Sequence, residues 1–475
     1  MTSAAKPGSE ESLVPLCIDL DGTLHTGDFF LEALARRSSA DPLFIISAFG
    51  AGFSRATLKE QLHAPDGNHA EFFAPRPEVA DWLRSEKARG RRIYLVTAAH
   101  RRVAESVAAT LPVFTGVFAT EDGRNLKGER KRELLVAEFG EGGYDYAGDS
   151  AADHPALRSA REKWWVNRST GKLSRIETDQ MPSPQPSWRD FWSALRPHQW
   201  TKNFLVLVPL LASGKLADFS LWQTGLLAVL AWSLVASAGY LLNDILDVPH
   251  DRAHPVKRHR PLAGGRITMS ECLILFAGVF AAGLAVAVYL GAPFAVAVGI
   301  YFLLSLAYSS FLKKVVVLDI LVLAVLYVAR VIGGGLAMDI QISSWLLMFV
   351  TFGFFGMAAL KRQAELVLGK ATSEDRGGRG YVTSDLPAVS QIALTGMGLA
   401  GLVLALYARS PESLLVYRHP ERLMVLSLLW LAWSAYLVLW AGRGKIQEDP
   451  VKYCLKDPTS IVLLVASGLV YLLAR

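Results

Sequence analysis

The chain has 475 residues, a formal net charge of +6, 52% hydrophobic residues and 19% charged residues. Such a low charge content excludes an ordinary soluble enzyme, and the hydrophobicity excludes intrinsic disorder. The average conceals a division. Residues 1 to about 190 have a soluble composition, whereas about 200 to 475 carry repeated apolar runs of roughly 20 residues, the length of a transmembrane helix.

Cys17, Cys272 and Cys454 lie far apart with no CxxC spacing, so neither a disulfide framework nor a zinc site is expected. The start, MTSAAKPGSEESLVPL, lacks a basic stretch followed by an apolar core, which predicts a cytoplasmic N-terminal region. The apolar run VPLCIDL predicts a strand that ends in Asp19-Leu20-Asp21-Gly22-Thr23-Leu24. A second strand over Arg92 to Val96 ends at Thr97. Lys127 precedes a helical stretch, KGERKRELLVAEF, and a third strand leads into Asp149 and Asp153 in YDYAGDSAAD. Carboxylates at the carboxyl ends of strands mark a site.

This order of motifs, DxDGT, then Thr, then Lys, then GDxxxD, resembles the haloacid dehalogenase-like phosphatase superfamily over residues 14 to 168. The resemblance implies an α/β Rossmann-like domain in which Asp19 is the nucleophile and Asp21 the general acid and base. It assigns Thr97 and Lys127 to the phosphoryl oxygens, with Lys131 as the rival lysine. Asp19, Asp149 and Asp153 would hold Mg2+. The stretch from Asp28 to Pro75 reads as a small cap. Residues 171–190, with Pro182, Pro184 and Pro186, read as a linker.

About nine spans are expected in residues 191–475, centred near Val208, Val229, Gly278, Gly299, Leu323, Val350, Leu399, Leu429 and Leu464. With the N-terminus inside, the cytoplasmic loops hold about sixteen Lys and Arg against about four outside. The positive-inside rule thus predicts a multi-pass protein of the cytoplasmic membrane with its N-terminal domain in the cytoplasm. The basic balance then reflects topology, and no nucleic acid is needed.

The second span ends in YLLNDILDVPHDRAHPVKRHRPLAGG, where Asn243, Asp247 and Asp251 are spaced i, i+4, i+8 with Asp244 beside them. On a continuing helix these groups share a face, and such like charges call for a cation. Oxygen donors suit Mg2+, and Arg252, Lys257, Arg258 and Arg260 follow to bind phosphate oxygens. The pattern NDxxDxxxD resembles the first aspartate-rich motif of the UbiA-type intramembrane prenyltransferase superfamily. Asn243, Asp244, Asp247 and Asp251 become its metal set, although Pro249 disfavours helix at Val248 and threatens to displace Asp251.

The superfamily's aromatic prenyltransferases carry a second aspartate motif after the sixth span. This chain has Lys361-Arg362-Gln363-Ala364-Glu365-Leu366 there, which suits a more anionic substrate pair. RPHQWTKN, NDILDVPHDRAHPVKRHRP, ARVIGGGLA and KRQAEL resemble the decaprenyl-phosphate phosphoribosyltransferase branch. That resemblance implies transfer of 5-phosphoribose from phosphoribosyl pyrophosphate to polyprenyl phosphate, with Asp244 and Asp247 catalytic. Lys202, Asn243, Arg258, Lys361 and Arg362 would bind substrate, and Glu365 either a ribose hydroxyl or a neighbouring cation. Lys202 also fits a snorkelling interfacial residue, and Trp200 an interface anchor. Arg330 fits either a partner of Asp319 or a substrate contact, while Gly333, Gly334 and Gly335 fit helix packing. The attached phosphatase would remove the 5-phosphate of the lipid product. The rival reading is prenyl transfer to an aromatic or other small acceptor. Lipid length and oligomeric state are left open.

Overall fold

Short, fully apolar runs in the soluble third become parallel strands covered on both faces, as their lack of alternation requires. In the computed structural model, which describes residues 13–40, 73–121, 125–168, 170–177, 186–369, 380–447 and 449–475, they are β1 (Leu16–Ile18), β2 (Ile93–His100), β3 (Gly116–Thr120), β4 (Asp145–Gly148), β5 (Lys163–Val166) and β6 (Leu173–Ile176). The sheet order is β3-β2-β1-β4-β5-β6. The first five strands run parallel, and β6 returns antiparallel to β5. Ile18 aligns with Leu95 on one side and Ala147 on the other, so Asp19, Thr97 and Asp149 gather at the carboxyl end of the three central strands. Leu16, Ile18, Leu95 and Val103 are fully buried in the core beneath them.

Two expectations change here. The linker starts later than residue 171, because Leu173–Ile176 folds back as an edge strand after the turn in which Gly171 N–H donates to Asn167 O. Thr97 lies inside β2 instead of ending it. Of the expected cap, the helix Phe29–Ala40 is present, and residues 41–72 lie outside the described residues, as do Pro182 and Pro184 of the linker. The first compact unit is discontinuous in sequence: it joins Met1–Ala194 with Asp244–Leu275.

The second unit, Leu195–Asn243 with Phe276–Arg475, is helical. Seven described helices are long and apolar enough to cross a membrane: Phe219–Leu246, Met269–Tyr289, Ala292–Ser310, Leu318–Met338, Ser344–Val367, Thr383–Tyr407 and Pro420–Gly442. The two other expected spans take shorter forms. Around Val208 the chain forms a 3-10 helix, Pro197–Leu207, and one turn of α-helix, Val208–Ala212, as Pro197 and Pro209 remove donors from a continuous ladder. Around Leu464 the apolar helix Pro458–Ala474 has 17 residues.

Phe219–Leu246 is the most buried of these helices, while Met269–Tyr289 leaves most of its apolar surface uncovered. Packing in the second unit uses small residues as expected. A Cβ at Gly334 would lie 1.8 Å from the carbonyl oxygen of Val206, so the helix Leu318–Met338 and the 3-10 segment touch backbone to backbone. Gly334→Ala should destabilise the detergent-solubilised protein by about 1–3 kcal/mol, the usual cost of overpacking, as read by its thermal midpoint.

Candidate active sites

The carboxyl end of the sheet carries a charged cluster that is almost wholly buried. Lys131 Nζ donates to Asp19 Oδ1 at 2.7 Å, to Asp153 Oδ1 at 2.9 Å and to Tyr146 Oη at 2.9 Å. Thr23 Oγ1 donates to Asp149 Oδ1 at 2.6 Å, and Arg168 Nε donates to Asp149 Oδ2. Asp21 accepts from the backbone N–H of Phe29 at 3.0 Å, at the start of the helix Phe29–Ala40, where the helix dipole favours a carboxylate. Thr97 is fully buried, and its hydroxyl accepts from Ala99 N at 3.0 Å.

The lysine of this site is Lys131 and not Lys127, which is exposed. The helix begins at Glu129, so Lys127 stays in the preceding loop while Lys131 turns inward in the first turn. Tyr146 and Arg168 were missed by sequence reasoning, since neither lies in a motif and each is recognisable only from its contacts.

The donors fit a hard divalent cation. Asp19, Asp149 and Asp153 place one ligand atom each within 4.8 Å of one another, the only such group among the described residues. Three buried carboxylates, Asp19, Asp149 and Asp153, face two cations, Lys131 and Arg168. Burial first, then the charge of Asp153, pushes the Asp19 carboxyl up to about 7 against the pull of Lys131, and burial likewise raises Asp149. A further positive charge relieves that repulsion.

Beside the cluster, the segment Asp244–Leu275 is built into the same unit. Arg252 makes a bidentate pair with Glu32, Nη1 to Oε2 at 2.8 Å and Nη2 to Oε1 at 2.7 Å, with His25 Nε2 3.4 Å from Oε1. Burial alone would raise Glu32, but His25 and Arg252 outweigh it and hold the carboxyl at about 2.

The aspartate-rich motif lies at a break between helices. Phe219–Leu246 stops, Asp247 caps, and Val248–Ala253 restarts with Pro249 at a position that needs no N–H donor. The helix therefore breaks within the motif, as Pro249 leads one to expect, and among the described residues Asp244, Asp247 and Asp251 do not converge as Asp19, Asp149 and Asp153 do. Asp251 N–H donates to Asp247 O at 2.9 Å, and Arg260 Nη1 reaches both Asp251 Oδ2, at 2.5 Å, and Asp244 Oδ1, at 3.1 Å. Asp247 is partly exposed, and Asn243 donates to Ser309 Oγ at 2.9 Å. Arg260, not Arg258, is the cation here; Arg258 is exposed.

Within the second unit, Lys202 and Lys361 converge on Asp449, at 2.8 and 3.4 Å. Burial opposes the charge on Asp449, yet Lys361 and Lys202 hold it well below the usual carboxylate range. Lys361, Glu365 and Asp449 line a small cavity of about 160 Å³. Asp449 carries no sequence signal beyond its place before Pro450. Arg362 is fully buried and engaged on every side, by Asp319 at 2.6 Å, by Tyr308 Oη at 2.9 Å and by Glu365. Its guanidinium is thus held among protein partners, Glu365 one of them. Arg330 does not partner Asp319; it donates to Asn203 Oδ1 at 2.9 Å and Tyr301 Oη at 2.8 Å. Trp200 is tied down by Ser237 Oγ at 2.9 Å.

Two folded sites of this kind define a membrane-embedded transferase joined to a hydrolase. The chain belongs to the UbiA prenyltransferase family, whose model matches residues 204–452, and residues 16–158 match the haloacid dehalogenase-like hydrolase family. It is 32% identical over 468 residues to the y4nM protein of Sinorhizobium fredii, covering 96% of this chain and 90% of that one. It is 33% identical to the nodulation protein NoeC of Azorhizobium caulinodans, over 60% of this chain and 93% of the relative. It is also related to the decaprenyl-phosphate phosphoribosyltransferase of Mycolicibacterium smegmatis, at 38% identity over 58% of this chain and 88% of the other.

Removing Lys131 strands two buried carboxylates, a loss on the order of 3–5 kcal/mol. Lys131→Ala should therefore unfold the N-terminal domain at lower denaturant, whereas Lys127→Ala should stay within about 0.5 kcal/mol of the parent in the same titration. The depressed Glu32 has a sign of its own. Its stabilisation is complete above the ordinary value of 4.5 and is lost as pH falls toward about 2. Acid unfolding followed by tryptophan fluorescence should thus be shallower for Glu32→Gln, which starts less stable at pH 7.

Proposed function

We propose that the membrane half transfers 5-phosphoribose from phosphoribosyl pyrophosphate to a polyprenyl phosphate, and that the N-terminal domain then hydrolyses the 5-phosphate of the lipid product. The relationship to decaprenyl-phosphate phosphoribosyltransferases carries the first step, and the lysine pair on Asp449 supports an anionic substrate. In that step the anomeric C–O bond breaks, its electron pair leaves with pyrophosphate, and a lipid phosphate oxygen bonds to the anomeric carbon. Lys202 and Lys361 steer the anions, and Asn203 and Tyr301 keep Arg330 in place among the helices. In the second step Asp19 attacks phosphorus, Asp21 protonates the departing sugar oxygen, and water cleaves the aspartyl phosphate while Asp21 takes back a proton. Lys131 holds Asp19 in line and Thr97 lies beside the path. Mg2+ held by Asp19 and Asp149, and by Asn243, Asp244 and Asp247, would neutralise phosphate and pyrophosphate charge when bound.

The same reading places the N-terminal domain on the cytoplasmic side. Glu32 and Arg252 are in contact, so the domain and the loop after Phe219–Leu246 share one side of the membrane. Since that helix crosses once, the chain before it must cross too. A 3-10 helix of 11 residues and an α-turn of five reach about 30 Å, the thickness of the hydrocarbon core. With Pro458–Ala474 this supports nine crossings.

Purified protein with Mg2+, labelled phosphoribosyl pyrophosphate and polyprenyl phosphate should form labelled lipid, falling about 100-fold or more in Asp244→Asn. Asp19→Asn should leave the product with its 5-phosphate. Absence of labelled lipid from folded protein, with turnover of a prenyl pyrophosphate instead, would favour the prenyl-transfer reading.

A further inference from the structure

A cavity of about 240 Å³ opens beside Asp21 in the first unit. One wall comes from the phosphatase-type domain through Thr26, Asp28 and Arg76, and the facing wall from Arg252, Thr268 and Ser270 of the segment Asp244–Leu275. These walls are more than 170 residues apart in sequence. Gly265 allows them to meet: at φ +68°, a Cβ there would come within 2.5 Å of the Thr26 carbonyl oxygen and 3.1 Å of Arg76 Nη2. The buried Arg252–Glu32 pair fastens the same wall.

Two buried polar atoms of residues in this lining make no hydrogen bond. Arg76 is 4% exposed; its Nε donates to Gly22 O and its Nη1 to Arg168 O, but Nη2 makes no hydrogen bond, and neither does the buried hydroxyl of Thr26. A buried donor left unpaired is destabilising, so each marks a place for a ligand atom. The unpaired Nη2 calls for an anion or an electron-rich oxygen, and the hydroxyl, with Asp28 and Ser270 in the same lining, calls for hydroxyl groups. The volume is below the roughly 300–1,000 Å³ of sites for drug-sized molecules, which suits a small head group and leaves no room for a lipid tail.

We infer that this cavity is the substrate-recognition pocket of the phosphatase, that its wall is shared with the transferase segment Asp244–Leu275, and that it takes a phosphomonoester of a small polyhydroxyl group. The inference deepens the proposed second step, with the pentose of the 5-phosphoribosyl head group as the occupant. Thr26 and Arg76 are then specificity-determining residues, and Ser270, beyond the reach of any phosphatase motif, lines the same ligand.

Calorimetric titration of ribose 5-phosphate and, separately, glycerol 3-phosphate into full-length Asp19→Asn protein with Mg2+ tests this without turnover. Ribose 5-phosphate should bind, about fivefold more weakly in Thr26→Val and at least tenfold more weakly in Ser270→Trp. Thr26→Val removes an unpartnered hydroxyl, so the ligand-free melting temperature should be unchanged or higher, which separates lost recognition from lost folding. Binding of glycerol 3-phosphate alone, weakened by the same variants, would uphold the shared pocket and sink the phosphoribosyl reading of the phosphatase. Affinities that neither variant alters, or binding of neither probe, would overturn the inference.

Discussion

The pairing of Arg252 with Glu32 is the contact on which the arrangement of the first unit depends. Both groups are almost out of water, and parting them would leave Arg252 without its carboxylate and Glu32 with His25 alone. The two parallel hydrogen bonds fix direction as well as distance, which a lysine point charge could not do. A segment more than 200 residues downstream of Glu32 is thereby made part of the phosphatase-type domain, and the interior of that domain is completed by sequence that belongs to the transferase family match.

The short helix Val248–Ala253 gives this contact its wider meaning. Its successive residues serve different partners: Asp251 accepts from Arg260, which also holds Asp244, while Arg252 turns to Glu32. Adjacent side chains on a helix diverge by about 100°, so one turn of helix can address both neighbourhoods without strain. Pro249 makes this turn separate from the long helix before it. The break that interrupts the aspartate spacing also frees Arg252 to reach the other site.

Motif order made the grouping at the sheet's carboxyl end legible, because three of the four motifs sit just after or within a strand and parallel strands align their ends. The choice between Lys127 and Lys131 was not legible, as it depends on the residue at which a helix begins. Apolar length revealed the seven long helices. It overstated the regularity of the stretch near Val208, where two prolines favour the 3-10 form. Ion-pair identity was least legible. Arg362 looked like a substrate cation because it adjoins Lys361, yet neighbouring helical residues point different ways; Asp319, Tyr308 and Glu365 consume it while Lys361 turns to Asp449. Nothing in sequence marks Asp449 or Glu32, whose roles arise only from contacts with residues far along the chain.

Covalent union of the two activities has a physical consequence beyond convenience. On the two-step proposal the lipid product stays in the bilayer, so the tethered hydrolase would meet it at an effective concentration set by the tether and not by its abundance in solution. The proposed hydrolysis of the sugar phosphate would then remove the species that reverse transfer needs, since pyrophosphate would have to recombine with a 5-phosphorylated sugar. The inferred pocket, with one wall from the segment Asp244–Leu275, would add a constraint that a flexible linker cannot supply: wherever that segment goes, the pocket wall goes with it. On the two-step proposal the loop after Phe219–Leu246 would serve two reactions at once, since Asp251 shares Arg260 with Asp244 while the adjacent Arg252 holds Glu32.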